Sequence, residues 1–496
     1  MGFISGEDRE QTLLFPGCID EYIDEASLVR VIEAYVNSLN LAALGFSRFE
    51  PESTGRPPYD PKDMLKLYVY GYMNRIRSSR RLEAESKRNL EVFWLLRKLT
   101  PDHKTIANFR KDNPESLKNV FRDFVKLCIK LDLYGKELAA IDGSKFKAVN
   151  SKDRAFTKKK LEDRLKRIDE KITKYLAALD KADLEETKVE TEKSAEEIAR
   201  IIKALEERKA RYEGYAEELE STGETQKVLT DSESRLMPCN GKIAVCYNVQ
   251  TAVDSKNKLV IDFEVTNKTN DLNQLTPMVK QVKDILETEE LAVTVDAGYN
   301  SATDIAEAVQ CGVTVHAAET DYNICIPAAE SEAMVIESQS NGKCVYVKER
   351  NIAICSMGKI LYPKGYRDKT GEAVFYNYGA CKACSCRCTA SKKELHFQIV
   401  MPKTDFSKEY NDKDLAVKQV HIKPDKEVYK QRKSLAEHPF GTIKQSMDAG
   451  YCLLKGKRKV RGEFSLIFLA YNLKRVINIL GSKNLIQKIK HLAYPA

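Results

Sequence analysis

ELAAIDGSKF, residues 137–146, reads as a short buried β-strand that ends in Asp142 and Gly143. LAVTVDAGY, residues 291–299, repeats the pattern, an apolar strand followed by Asp296, Ala297 and Gly298. A carboxylate at the end of an apolar strand is expensive to desolvate unless something compensates, and a divalent cation is the usual compensation. Asp at a strand end is also a common turn residue or helix cap, so either acid alone carries little. Two such acids on strands of one sheet make a specific pattern.

The segments around them supply the sheet. KIAVCYNVQTAV and KLVIDFEVTN show period-two alternation and, joined by Asp254-Ser255-Lys256-Asn257, form a β-hairpin. Asp271 is expected to cap a helix running through Ile285; a helix at 301–310 and the strand VTVHAAE follow Asp296. The order strand, helical insert, hairpin, helix, strand, helix, strand describes a mixed α/β domain. In the insert, Leu161, Leu165, Ile168, Ile172 and Leu179 recur at three-four spacing, and Ile198, Ile202, Leu205, Tyr212 and Leu219 resume it after a polar break. That pattern predicts an antiparallel coiled-coil hairpin over 157–222, a structural arm or dimer contact rather than a chemical site.

Towards the N-terminus, residues 1–136 are helical in pattern, interrupted by the proline-rich connector PESTGRPPYDP. The segment LTPDHKTIANFRKDN offers Thr100 or Asp102 as an N-cap for a short helix carrying His103, Lys104 and Arg110. This is either the recognition helix of a helix-turn-helix or a solvated polar face. Towards the C-terminus, residues 321–425 are turn-rich and hold most of the clustered cysteines, and helices return over 426–496. The last of these, FSLIFLAYNLKRVINIL, has a continuous apolar face and belongs to the core.

At 496 residues the chain is expected to form about three units. Its 43% hydrophobic and 31% charged residues are a soluble globular composition. The 81 Lys and Arg exceed the 73 Asp and Glu, giving a net charge of +8 that is clustered rather than spread. No segment has the apolar length of a signal peptide or membrane span, so the reading is cytoplasmic, nucleoid-associated when DNA-bound, with no membrane partner. Thirteen cysteines without an export signal argue against a disulfide scaffold. CKACSCRC, residues 381–388, with Cys344 and Cys355 upstream, offers more than the four thiolates of a closed structural zinc site; His396 is a weaker alternative ligand. No Walker loop or dinucleotide fingerprint is present.

Two ions of the Mg²⁺ or Mn²⁺ type, ~3.5–4 Å apart, need a bridging carboxylate and terminal ones, so a third acid is required for in-line displacement at phosphorus. YKQRKSLAEHPFGTIKQ, residues 429–445, contains it: Glu437 sits among cations and shares a helical face with Lys444. Pro439 is expected to kink this helix or to open a new one, so that Glu437 projects from its start. Further on, Lys455, Lys457, Arg458, Lys459 and Arg461 form a basic stretch that either lines a DNA channel or is a solvated loop.

AIDGSKF, YNVQTAVD, VTNKTND, TVDAGYNS and the set Tyr429, Arg432, Glu437, Lys444 together resemble the DDE transposases of bacterial insertion sequences, in the group with a Tyr-Arg-Glu-Lys signature. GRPPYDPKDMLKLYVYGY and PDHKTIANFR are similar to that family's DNA-binding region. The spacing from Arg432 to Glu437 is one residue longer than the family's usual one. The resemblance implies a ribonuclease-H-like catalytic domain begun over 137–320 and completed by 426–496, with metal ligation by Asp142, Asp296 and Glu437. It implies contacts to DNA phosphates or a flipped end nucleotide for Tyr429, Arg432 and Lys444. It also selects Cys355, which precedes a turn through Gly358 and Lys359, with Cys381, Cys384 and Cys388 as the zinc ligands. The expected activity is a transposase, acting at least as a homodimer, that binds double-stranded DNA at its element's terminal inverted repeats, cuts it, and joins 3′ ends to target DNA. A nuclease that cuts without joining, and a non-catalytic DNA-binding descendant, are the alternatives.

Overall fold

The computed structural model describes residues 18–46, 58–184, 195–239, 241–299, 301–317, 322–327, 334–335, 345–347, 350–355, 357–366, 373–384, 399–401, 417–422 and 425–493. It is a mixed α/β protein built on one six-stranded sheet. β1 (Leu138–Lys147) lies at its centre, antiparallel to the long β3 (Lys242–Asp254) on one side and parallel to β5 (Leu291–Thr294) on the other. β6 (Val313–His316) extends the parallel edge. The far edge of β3 is shared, its first half pairing with β2 (Arg235–Cys239) and its second with β4 (Val260–Thr266). β1 is longer than its sequence pattern predicts: Asp142 lies inside it, because pairing with β3 continues to Lys147 after pairing with β5 has stopped at Ala140.

The helical N-terminal residues supply α1 (Leu28–Ser38), α2 (Pro61–Met73), α3 (Ser79–Arg88), α4 (Leu90–Leu95), α5 (His103–Asp112) and α6 (Pro114–Lys130). Asp102 caps α5, accepting from the N–H groups of Lys104 and Thr105. After β1, α7 (Lys158–Leu184) and α8 (Ala195–Ser221) lie antiparallel, with Asp169 against Lys209 and Arg164 against Tyr212. A short pairing of Ala155–Thr157 with Gln226–Val228 closes their base.

α9 (Leu275–Leu286) and α10 (Ala302–Gln310) follow β4 and β5. Asp271 does not cap α9. Gln274 stands at the cap position, and the carboxylate of Asp304 from α10 accepts from Leu275 and Thr276 N–H at 2.8 Å each. The turn-rich stretch predicted over 321–425 contains a six-stranded antiparallel meander from Met334 to Met401, with the short α11 (Tyr378–Lys382) inside it.

α12 (Lys426–Gly441) runs into a π-helical turn, Thr442–Ser446; α13 (Lys457–Leu480) and α14 (Ser482–Ala493) complete the chain. α13 packs on β4, α2 and α6 at once, and almost every residue from Val460 to Val476 is buried. Phe464 and Phe468 meet Phe146 and Phe263 of the sheet with ring centroids 4.7 Å apart, and Phe121 of α6 closes on Phe263 at 5.3 Å. The N-terminal helices therefore have no core of their own; one continuous apolar cluster runs from Ile23 through the sheet to Ile489. Among the described residues no helix is long and apolar enough to cross a membrane.

Candidate functional site

The last parallel rung of the sheet is Ala140 opposite Thr294, and Asp142 and Asp296 each lie two residues beyond it. Neighbouring strands are ~4.8 Å apart and side chains alternate with period two, so equal steps past one rung bring both acids to the same end of the sheet. Each carboxylate is oriented by the glycine that follows: Gly143 N–H donates to Asp142 Oδ1 and Gly298 N–H to Asp296 Oδ1, both at 2.8 Å.

The Asp142 side chain is only 15% exposed. Burial pushes its carboxyl up to about 6, and the charges of Asp296 and Asp271 push the same way, against the Gly143 N–H and Arg432. Excess negative charge at a partly dry site is the situation a divalent cation relieves. The donors of Asp142 and Asp296 are all carboxylate oxygens, so the residues present fit a hard cation. Among the described residues no three His, Cys, Asp or Glu side chains already close into a metal cage.

α12 lies across β1 and β3. Leu435 and Ala436 pack on Ala140, which brings Arg432 to 3.9 Å from Asp142 Oδ2 with Tyr429 against its guanidinium at 5.7 Å. Lys444, from the π-helical turn, donates to Ser144 Oγ at 2.7 Å and to the Lys145 carbonyl at 3.1 Å. Glu437 differs from the expectation. α12 continues through Pro439, so Glu437 sits near the end of a helix and not at the start of one. It follows Arg432 by five residues, roughly 140° around the helix at 100° per residue, and is exposed. Glu437 makes no hydrogen bond or ion pair among the described residues, and it does not form a three-carboxylate cluster with Asp142 and Asp296. His438 turns the other way, to Tyr471 and Arg475.

The other expected DNA-contacting residues are dispersed. Lys457, Arg458, Lys459 and Arg461 form the first turns of α13 and not a loop, because Gly456 at φ +83° begins the helix there. Arg458 and Arg461 pair with Glu115, and Arg461 also faces Glu264 at 3.7 Å. Lys457 lies 3.9 Å from Glu233, and Lys455 is exposed. In α5, Lys104 is exposed and His103 Nδ1 meets Glu83 at 2.8 Å. Arg110 is a correction: it is 5% exposed, donates to Tyr72 Oη and the Arg77 carbonyl, and braces α2 against α5. A cation buried in this way has no surface to offer DNA.

Asp271 is the residue that the sequence pattern misassigns. It is 16% exposed and forms an ion pair with Lys145 at 3.1 Å, and its Oδ1 also accepts from Asn248 at 2.6 Å and Gln250 at 2.7 Å. It follows a strand, as Asp296 does, but no following glycine marks it.

Among the cysteines, Cys355 is buried at a turn where Gly358 takes φ +72° and Lys359 N–H points at its Sγ from 3.3 Å. Burial raises its thiol, and Cys381 and Cys384 lie near enough to raise it further. Asn377 ties their helix to this turn through the Ile360 carbonyl. Cys344, Cys388 and His396 lie outside the described residues.

Comparison with known proteins adds three findings. Residues 17–112 match the family model described as "Transposase domain (DUF772)", and residues 354–477 match the one described as "Transposase DDE domain". No curated protein matches the chain. Among solved structures, the chain is similar to one titled "Cryo-EM structure of piggyBac transposase synaptic complex with hairpin DNA (SNHP)", with 10% identity over 95% of this chain and 77% of that one; its TM-score of 0.28 carries no argument.

Proposed function

This chain is a DDE transposase of the insertion-sequence type, and we propose that it binds the terminal inverted repeats of its element, cuts the DNA there and joins the 3′ ends to target DNA. The observation that carries the reading is the Ala140–Thr294 rung, which delivers Asp142 and Asp296 side by side with Arg432 at 3.9 Å. The strand order, with β1, β5 and β6 parallel and β3 and β4 antiparallel on the other side, supports a ribonuclease-H-like assignment of the sheet.

Asp142 and Asp296 would hold Mg²⁺ or Mn²⁺, with Glu437 as the third carboxylate. When bound, a pair of such ions lowers the pKa of the attacking water or 3′-hydroxyl and stabilises the leaving oxygen. The protein's own groups do the rest. Gly143 and Gly298 N–H groups fix the carboxylate orientations, while Arg432, with Tyr429 against it, presents a cation to a phosphate beside Asp142. Lys444 holds β1 at Ser144 and Lys145, directly after the first acid. The exposed Lys104, Lys455 and Arg458 and the half-buried Lys459 would contact the DNA backbone, and a homodimer would hold two ends together.

Asp142→Asn, Asp296→Asn and Glu437→Gln should each retain binding to the element's ends while cleavage falls at least ~100-fold, the upper end of what loss of an outer-shell partner causes. A strand-transfer assay on pre-cleaved ends checks the class of activity. Joining supports the transposase; cutting alone identifies a nuclease; binding alone identifies a non-catalytic descendant. Normal cleavage by any one variant removes that residue from the site.

For the second metal, Cys355, Cys381 and Cys384 with Cys388 would close a structural zinc site that folds the insertion. Purified protein should contain about one zinc per chain, and Cys381→Ser should lose it; metal analysis returning none would dismiss the site.

A further inference from the structure

Asp271 stands beside both acid-bearing segments: both of its oxygens pair with Lys145 of β1, and Oδ2 also faces Gly298. A Cβ placed on Gly143 would stand 2.4 Å from Asp271 Oδ1, and one placed on Gly298 would stand 3.5 Å from Asp271 Oδ2 and 2.9 Å from Asp296 Oδ1. Gly143 and Gly298 are the glycines whose N–H groups orient Asp142 and Asp296. Neither needs glycine for its backbone angles, since neither has a positive φ; over Gly143 the Asp271 carboxylate and the Gln250 amide, each 2.4 Å from where a Cβ would stand, together occupy the space a side chain would fill.

The brace is rigidly built. By strand alternation, Gly143 and Lys145 face the side of the sheet opposite Asp142 and Ser144, together with their partners Gln250 and Asn248 on β3. On that side Asp271 Oδ1 takes hydrogen bonds from Lys145, Asn248 and Gln250. Gln250 in turn accepts from the Tyr299 hydroxyl, which is fully buried and belongs to the turn that follows Asp296. Between Ala140 and Lys147, which bridges to Tyr451, β1 has no ladder partner on its β5 edge among the described residues, so no sheet pairing fixes the distance between Asp142 and Asp296. The Asp271 assembly is what spans that gap.

We propose that Asp271 is a positioning residue: its carboxylate, seated over Gly143 and linked through Gln250 to Tyr299 in the turn after Asp296, sets the spacing of the two metal-binding aspartates. The proposal rests on the reading of Asp142 and Asp296 as metal ligands. It predicts that the shape and hydrogen bonds at position 271 matter more than the charge.

Mn²⁺ binding to the DNA-free protein, followed by the electron paramagnetic resonance signal of free Mn²⁺, tests it without relying on cleavage. Asp142→Asn serves as the reference for loss of the site. Asp271→Ala should weaken Mn²⁺ binding at least tenfold and raise the Mn²⁺ concentration needed for half-maximal cleavage by a similar factor. Asp271→Asn, which keeps the shape and still accepts from Asn248 and Gln250, should stay within threefold of wild type. Gly143→Ala, whose methyl would crowd both the Asp271 carboxylate and the Gln250 amide that bonds it, should resemble Asp271→Ala, and keeps the test open if that variant does not fold. Equal losses in Asp271→Asn and Asp271→Ala would overturn positioning in favour of a direct role for the charge. Wild-type affinity in both Asp271→Ala and Gly143→Ala would overturn it altogether. Wild-type protein binding no Mn²⁺ that depends on Asp142 would instead sink the underlying metal site, and the proposal with it.

Discussion

His438 is held as a neutral imidazole by two neighbours with opposite demands. Tyr471 donates its hydroxyl proton to the Lys258 carbonyl at 2.8 Å, so its oxygen accepts from His438 Nδ1 at 2.9 Å. Nε2 is then the unprotonated nitrogen, and it faces the Arg475 guanidinium at 3.3 Å. A second proton would set N–H against N–H. Burial, then Arg475 and Lys258, accordingly depress the ring's pKa. The unfolded chain takes up the proton near pH 6.5 and the folded chain resists it, so this contribution to stability is complete above ~6.5 and is lost as pH falls below that value. His438→Gln, which offers one N–H and one carbonyl, should flatten the fall in urea midpoint between pH 6.5 and 5; an unchanged slope would show that His438 is not its source. Asp142 and Asp296 stood out at this scale because each is followed closely by glycine at the end of an apolar run. Asp271 did not, because its partners at 145, 248 and 250 come from segments distant in the chain. The short polar helix from His103 gave no sign that Arg110 turns inward, since a polar face looks the same whether water or Tyr72 meets it.

The paired helices α7 and α8 illustrate how little an element can depend on the rest of the chain. Their buried residues Leu161 and Leu219 cluster with Phe156, apart from the main core, and the strand pair at their base puts Thr157 directly opposite Gln226. Joining Thr157 to Gln226 through Asn-Gly, a favoured two-residue hairpin turn, should leave a cooperatively folding protein. The melting temperature should move by less than ~8 °C, about 2–4 kcal/mol for a domain of this size; loss of cooperative unfolding would make the helix pair part of the main folding unit. The opposite case is α13, whose apolar pattern announced a core helix but not its neighbours. Its buried Glu463 receives Arg77 at 2.7 Å and the N–H groups of Leu453 and Leu454, and Asn472 exchanges hydrogen bonds with the Val260 backbone. Pro439 misled in the other direction. Proline in a helix interior removes a hydrogen bond and usually breaks the helix, yet α12 is already committed by its Asp425 cap and by Leu435 and Ala436 against the sheet, and it widens into a π turn just beyond.

At the scale of the whole molecule, the N-terminal helices and the sheet are one folding problem. Residues 137–496 expressed alone would strip α2 and α6 from α13, uncover Phe263 and Phe468, and leave Glu463 buried without Arg77. Removing one partner of a buried pair alone costs ~3–5 kcal/mol, a large part of a typical domain's net stability. The fragment should aggregate or unfold without a cooperative transition, as read by size-exclusion chromatography and urea titration; a monomer with a sharp transition would show that the core divides near residue 137. Local patterning was sufficient for β1, β3, β4, β5 and β6 and for the long charged helices, though not for the meander after Met334, since period and turn chemistry are properties of neighbouring residues. The shared core, the inward turn of Arg110, the continuation of α12 through Pro439 and the seat of Asp271 over Gly143 emerged only from the packed chain. Each depends on which distant segment arrives to fill a particular space, and no short stretch of sequence carries that information.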